Sequence, residues 1–190
     1  MVNPRAESPS PKTLEESLRL EFPQLWADKI APRVAELILP EPVPLGQLKR
    51  HPVGLDPNEL IKDRFLCKGG SCMLIGPTGV GKSSFTMQMA LQFAQGYDFF
   101  GLRPARKLRT LIVQAENDDG DMAEMRDGVL SGLGIPATEQ EAILSNIMVL
   151  TEGSRTREAF ALLLKTVCAE HAFDIVVVDP LLAYLGGDAS

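Results

Sequence analysis

The sequence has no hydrophobic run long enough to cross a membrane. Its longest apolar stretches, such as 175–178, fall far short of the roughly 20 residues that a membrane-spanning helix needs. The first residues, Met1 to Arg5, also lack the apolar segment of a secretory signal peptide. We therefore expect a cytoplasmic protein with no membrane partner.

Cysteine and histidine are scarce, with three and two residues in a chain of 190. Cys67 and Cys72 are separated by four residues, and no second pair completes a zinc site. We interpret these two and Cys168 as free thiols in a reducing compartment. His51 and His171 have no partner cluster and are assigned no chemistry.

The sequence also lacks the basic stripe that is typical of nucleic-acid-binding proteins. The formal net charge is −6, from 19 basic and 25 acidic residues. Residues 1–66 carry 9 basic and 10 acidic side chains, which leaves 10 and 15 for residues 67–190. This balance weighs against strong DNA affinity by the whole chain, although a single loop could still contact phosphate.

One glycine-rich segment fits the phosphate-binding pattern Gly-x4-Gly-Lys-Ser/Thr at every fixed position. A short buried strand is predicted before it at Ser71–Ile75, and a helix is predicted after it at Ser83–Gln95. The N–H groups of such a turn form a nest for a β-phosphate, and the helix N-terminus adds partial positive charge. A glycine-rich turn that only packs a strand on a helix is the alternative. The predicted ATP-binding residues are Gly76, Pro77, Thr78, Gly79, Val80, Gly81, Lys82, Ser83 and Ser84.

Two side chains of this segment are predicted to have chemical roles. Lys82 can reach the β- and γ-phosphates, which makes it a candidate catalytic residue, and the Ser83 hydroxyl can ligate Mg²⁺. From Thr78 and Val80 we expect backbone contributions only.

A second metal ligand is predicted at Asp179. It ends a run of four β-branched residues, 175–178, which is typical of a central parallel strand. Ligands of open α/β sheets bind along the carboxyl edge, where this carboxylate would emerge opposite Ser83. The alternative is that Asp179 only forms a turn after a buried strand.

Glu116 is the candidate catalytic carboxylate. It follows the predicted strand 110–115, so it should emerge at the same edge and orient the water that attacks the γ-phosphate. An acidic run follows it, comprising Asp118, Asp119 and Asp121. That run could instead simply cap the next helix, and both interpretations can hold together.

The order of elements predicts an α/β fold with a mostly parallel sheet and helices on both faces. Ten of the 14 prolines lie within residues 1–60, which we interpret as a Pro-rich extension before a core at 61–190. In the extension, we expect a disordered tail at 1–12, an amphipathic helix at 14–26 that Pro23 interrupts, and a further turn or two at 33–39. The remaining core elements are predicted as helices at 119–133 and 155–171, and strands at 146–150 and 173–179.

Three segments of the sequence resemble those of the RecA-like ATPases. The phosphate motif, the strand end Gln114-Ala115-Glu116 and the run from Val178 to Leu181 carry the resemblance. It is closest to the RepA/DnaB-type branch of replicative helicases and their AAA-family relatives. The stretches similar to that branch are Leu66–Ser71, Leu111–Asn117, and Asp179-Pro180-Leu181 followed by Gly186-Gly187-Asp188.

The resemblance, which covers roughly residues 60–190, implies a P-loop ATPase core with ATP and Mg²⁺ as cofactors and Glu116 as the catalytic glutamate. It also implies a ring-shaped homo-oligomer. Family members continue with further strands, a γ-phosphate sensor, DNA-contacting loops and an arginine finger, whereas this sequence ends at Ser190, eleven residues after Asp179. We therefore expect a core that is incomplete at its C-terminal end.

Three functions remain open at this point. The resemblance favours a helicase or DNA-remodelling ATPase that single-stranded DNA stimulates. The acidic balance of the core favours a regulatory RecA-like ATPase of the KaiC kind. The third hypothesis is a nucleotide-binding module without turnover.

Overall fold

The computed structural model describes residues 19–25, 41–52 and 54–186. These residues fall into two units, one within residues 1–50 and one within 51–190. The predicted tail at 1–12, the predicted turn at 33–39, and Gly187 and Asp188 of the resembling stretch lie outside the described residues. No helix in these described ranges is long and apolar enough to cross a membrane.

The first unit contains short helical segments. Residues 19–21 are helical, Phe22 is not, and a one-turn helix begins at Pro23 and ends at Leu25. Proline fits this position because the first turn of a helix needs no N–H donor from it. A 3₁₀ turn follows at Leu45–Gln47.

The second unit contains five strands and five helices among its described residues. The strands are β1 (Glu59–Ile61), β2 (Leu66–Cys67), β3 (Thr110–Gln114), β4 (Ile147–Thr151) and β5 (Ile175–Asp179). The helices are α1 (Lys82–Gln95), α2 (Asp119–Gly132), α3 (Ala137–Leu144), α4 (Arg157–Glu170) and α5 (Leu182–Leu185). The sequence did not predict the β1–β2 pair, α3 or α5.

The central sheet is parallel, in the order β4-β3-β5. All five residues of β3 are buried, as expected for a middle strand covered on both faces. Strands β1 and β2 pair antiparallel in a separate two-stranded sheet. The predicted α/β class, with helices flanking a parallel sheet, is confirmed.

The predicted buried strand at Ser71–Ile75 is wrong in this structure. The segment has no strand assignment, and its residues are exposed, with Ile75 at 83 %. A strand requires a neighbour that accepts and donates its ladder hydrogen bonds. Within the described residues, the sheets contain no such neighbour for 71–75.

Helices cover the two faces of the central sheet with separate apolar clusters. Ile112 of β3 packs with α1, α2 and α3, whereas Leu111 and Val113 pack on the opposite face with Phe160 of α4 and with Tyr184. This alternation follows from the two-residue period of a strand.

Helix α1 is apolar on two sides, which corrects one expectation from its sequence. Phe85, Met89 and Phe93 follow one another at intervals of four residues, so they share one face, and this spacing predicts that the face packs on the sheet. It packs instead mainly in a cluster with Leu60, Ile61, Phe99 and Leu108, from β1 and the loop that precedes β3. The sheet-facing side of α1 consists of Met87, Ala90, Leu91 and Ala94.

Candidate functional site

The glycine-rich loop contains backbone conformations that residues other than glycine adopt only with strain. Gly79 and Gly81 have φ angles of 81° and 86°, in the left-handed region where a glycine costs least. Gly81 is the residue that immediately precedes α1, so the loop ends at the helix N-terminus. The N–H groups of that terminus have no partner within the helix and are available to an anion.

Lys82 folds back over the loop. Its Nζ donates to the carbonyl oxygens of Gly76, at 3.0 Å, and Pro77, at 2.8 Å. An ammonium group has three N–H donors, so these two bonds leave one for a phosphate oxygen. The lysine therefore holds the start of the loop and keeps its charge beside the Gly76 and Pro77 carbonyls.

The contacts of α1 indicate that its N-terminus points towards the carboxyl edge of the central sheet. Near the end of α1, the Phe93 carbonyl accepts a bond of 3.0 Å from Leu108 N–H, just before β3 starts. From that end the helix packs back along the sheet, with Ala94, Leu91 and Met87 in one apolar cluster with Ile112 of β3. Helix α1 and strand β3 therefore run in opposite directions.

The in-register pairing of the strands brings the predicted carboxylates to one edge. Gln114 is level with Asp179 on one side and Thr151 on the other. Just beyond Gln114, the Ala115 N–H donates to the Asp179 carbonyl at 3.3 Å, and the exposed Glu116 follows. Glu116 and the half-buried Asp179 therefore lie at the ends of neighbouring strands.

The acidic run after Glu116 has a structural function, as the alternative interpretation expected. Asp118 caps α2: its carboxylate accepts from Asp121 N–H at 2.8 Å, and Asp121 accepts in return from Asp118 N–H. Asp119 accepts a bond of 3.0 Å from the Thr151 hydroxyl, which ties α2 to the end of β4. None of these bonds uses Glu116.

Glu152 is a third carboxylate at this edge, and the sequence did not predict it. It directly follows β4, is only 7 % exposed, and its N–H donates to the Gln114 carbonyl at 2.9 Å. Its carboxylate accepts from the N–H and hydroxyl of Ser154, from the N–H of Arg155 and from the Arg155 guanidinium. The available signal was its position two residues after the predicted strand 146–150.

These bonds stabilise the charged form of Glu152. The Ser154 hydroxyl and the backbone N–H groups lower the pKa of Glu152 from an ordinary 4.5 to about 2. Tyr184 covers the same turn, because its hydroxyl donates to the Glu152 carbonyl at 2.7 Å and its ring stacks on Phe160. Burial, with the nearby charges of Glu152 and Asp179, raises the pKa of Tyr184.

The two predicted metal ligands, Ser83 and Asp179, have the chemistry that Mg²⁺ prefers. In the described part of the chain, no three His, Cys, Asp or Glu side chains converge as a metal cluster. Mg²⁺ usually binds through one or two carboxylates, with waters and substrate phosphates completing its shell. One carboxylate, Asp179, and one hydroxyl, Ser83, match that pattern; Ser83 lies in the first turn of α1, next to Lys82.

Comparison with known proteins gives one match. Residues 47–190 match the family model described as an AAA domain. Neither the curated proteins nor the solved structures contain a match to this chain.

The hydrogen bonds of Glu152 predict a pH dependence of stability. Because folding lowers the pKa of Glu152, its contribution is present above about pH 4.5 and is lost as the pH falls towards about 2. The difference in unfolding free energy between the wild type and Glu152→Gln should therefore be constant near neutral pH and shrink below pH 4.5. Urea unfolding at a series of pH values measures it.

The matched control is Glu170→Gln, an exposed change that removes the same charge from α4. A difference between wild type and Glu152→Gln that stayed constant down to pH 3, or grew, would contradict the assignment of these bonds.

Proposed function

This chain belongs to the AAA domain family of P-loop ATPases, and we propose that it binds Mg-ATP at residues 76–84 and hydrolyses it at the carboxyl edge of its sheet. Family membership indicates nucleotide binding and ATPase activity in general. The observation that carries the proposal is the geometry of the loop, with Gly79 and Gly81 at positive φ and Lys82 bonded to two loop carbonyls.

The loop would hold the triphosphate by charge and by backbone donors. The N–H groups at the start of α1 would donate to the phosphate oxygens, and the positive end of the helix dipole would attract their negative charge. Lys82 adds a full positive charge and its third N–H donor. The residues of the loop itself, including Thr78 and Val80, would contribute through their backbones.

Ser83 and Asp179 are the proposed ligands of Mg²⁺. Ser83 is the second residue of α1 and Asp179 is the last residue of β5. The hydroxyl would bind the metal directly, and the carboxylate would bind it directly or through water. When bound, Mg²⁺ neutralises negative charge that develops on the phosphate oxygens during transfer.

Glu116 is the proposed catalytic carboxylate. Its side chain is exposed and therefore accessible to water, and the hydrogen bonds that cap α2 are made by Asp118 and Asp121 instead. It would orient a water molecule for attack on the γ-phosphorus as the bond to the β-phosphate oxygen breaks. A carboxylate is suited to this because it accepts a hydrogen bond from the attacking water.

We further propose that hydrolysis drives a RepA/DnaB-like homo-oligomeric ring that acts on single-stranded DNA. The support for this finer proposal is the likeness of the stretches around the site, such as Leu111–Asn117, to that branch.

A regulatory ATPase that does not bind nucleic acid is the second candidate, and the ion pairs favour it. Five arginines among the described residues are paired with carboxylates of the same chain: Arg64, Arg103, Arg106, Arg126 and Arg155. An arginine already paired within the protein has less charge to offer DNA phosphates. Salt-dependent binding of single-stranded DNA, together with DNA-stimulated phosphate release, would exclude this candidate, whereas the absence of both would exclude the helicase-type function.

The first prediction from the proposed site concerns Lys82. Lys82→Ala should weaken Mg-ATP binding by about 10- to 100-fold, because charge-assisted hydrogen bonds contribute about 1.5–3 kcal/mol each. Isothermal titration calorimetry measures the affinity. Lys107→Ala removes an exposed lysine outside the loop and should bind ATP as the wild type does. Equal affinities for all three proteins would contradict the placement of the phosphates.

The second prediction concerns Glu116. Glu116→Gln should bind Mg-ATP as the wild type does. It should release phosphate at least about 100-fold more slowly, since a positioned acid–base group contributes about 10²–10⁴ in rate. The matched control is Glu124→Gln, an exposed change on α2. A wild-type rate in Glu116→Gln would move the catalytic assignment to another carboxylate. A wild type that bound ATP without releasing phosphate would instead support the nucleotide-binding module.

A further inference from the structure

A tight turn presents one phenylalanine to solvent beside the first turn of α1. Phe99 and Leu102 exchange two backbone hydrogen bonds of 3.0 Å, with Phe100 and Gly101 at the tip between them. Phe99 is buried and Leu102 is partly buried in the cluster that contains β1 and Phe93, whereas Phe100 is 80 % exposed. The turn is therefore anchored at both ends and holds the Phe100 ring outside the core.

The backbone of this turn favours residues other than phenylalanine at its tip. Phe100 and Gly101 both have positive φ, 52° and 83°, which is the pattern of a type I′ turn. Asn-Gly and Asp-Gly are the preferred pairs for such a turn, and a bulky residue with positive φ is an outlier. Strain of this kind is concentrated at ligand-binding sites. Neither burial nor turn preference accounts for a phenylalanine at position 100.

The exposed ring lies close to the phosphate loop along α1. It stacks on Phe85, with ring centroids 5.8 Å apart and an angle of 25° between the planes. Phe85 N–H donates to the Gly81 carbonyl at 2.9 Å, which closes the first turn of the helix. Phe85 is three residues after Lys82, or about 4.5 Å along the helix axis.

We infer that Phe100 is the base platform of the nucleotide site, on which the nucleobase stacks while the loop holds its phosphates. This inference rests on the proposed function, because it assumes that residues 76–84 bind the triphosphate. Phe85 stacks on the ring and Phe99 contacts it at right angles, with ring centroids 4.9 Å apart, while the exposed part of the ring would offer a flat apolar surface to a base. Stacking on an aromatic ring tolerates every base, so this contact adds affinity for nucleotides without selecting adenine.

The test compares a nucleotide with a ligand that has phosphates but no base. Affinities of Mg-ATP and of inorganic tripolyphosphate with Mg²⁺ are measured by calorimetry for the wild type and Phe100→Asn. Asparagine suits positive φ, so the variant removes the ring while its melting temperature should be equal or higher. We expect ATP affinity to fall about tenfold, within the range of base–aromatic stacking, and tripolyphosphate affinity to stay unchanged.

Two further variants separate the ring from the rest of the loop. Phe100→Tyr keeps an aromatic face and should retain wild-type ATP affinity. Tyr97→Asn removes a neighbouring exposed aromatic side chain of the same loop and should also leave ATP affinity unchanged.

Unchanged ATP affinity in Phe100→Asn would overturn the inference, whether or not the variant lost affinity for single-stranded DNA. An equal loss for ATP and tripolyphosphate would overturn it as well, because the ring would then act through the loop. A wild type that bound tripolyphosphate and ATP with equal affinity would exclude any base platform and leave the proposed phosphate site standing. A wild type that bound neither would refute the phosphate site itself.

Discussion

The in-register parallel pairing of β3 with β4 and β5 brings the candidate site residues of the sheet to one edge. It sets Gln114 level with Thr151 and Asp179, so the residues that follow each strand meet at one edge. A slip of one residue would turn the side chains of β3 to the opposite faces, and Ile112 would leave its cluster with α1. Burial of β3 on both faces resists such a slip, and the same packing that forms the core therefore aligns Glu116, Glu152 and Asp179.

Helix α1 connects this edge to the glycine-rich loop. One of its sides packs on the sheet through Ala90 and Leu91, and the other packs on β1 and the turn at 99–102 through Phe85 and Phe93. A helix held on two sides has a fixed N-terminus, which a preorganised anion site requires. The same packing brings the exposed Phe100 next to the helix turn that follows Lys82, so phosphate and base contacts would share one rigid support.

Patterns local to a segment predicted most of the fold. The continuous apolar runs and the helix signals gave β3, β4, β5, α1, α2 and α4 to within about two residues at each end, and the acidic run after Glu116 correctly predicted a capped helix. The strand at Ser71–Ile75 was wrong, because an apolar run shows a capacity to pair but not whether a partner strand lies alongside. Helix α3 was not predicted, because a proline shortly after a helix end is typical of a stop, whereas Pro136 also precedes the first residue of α3.

The parts of the site that sequence could not predict depend on tertiary contacts. Glu152 becomes buried only because β4 ends beside Gln114 and Tyr184 covers the turn. Phe100 is significant only because its turn lies against Phe85, fifteen positions earlier in the chain. A single Mg-nucleotide site formed by the glycine-rich loop and the sheet edge is tested most directly by the Mg²⁺ dependence of ATP affinity in the wild type and Asp179→Asn. We predict that Mg²⁺ strengthens ATP binding in the wild type and strengthens it much less in Asp179→Asn, while affinity without Mg²⁺ is not reduced. Equal strengthening in both proteins would show that Asp179 does not hold the metal and would contradict a single site.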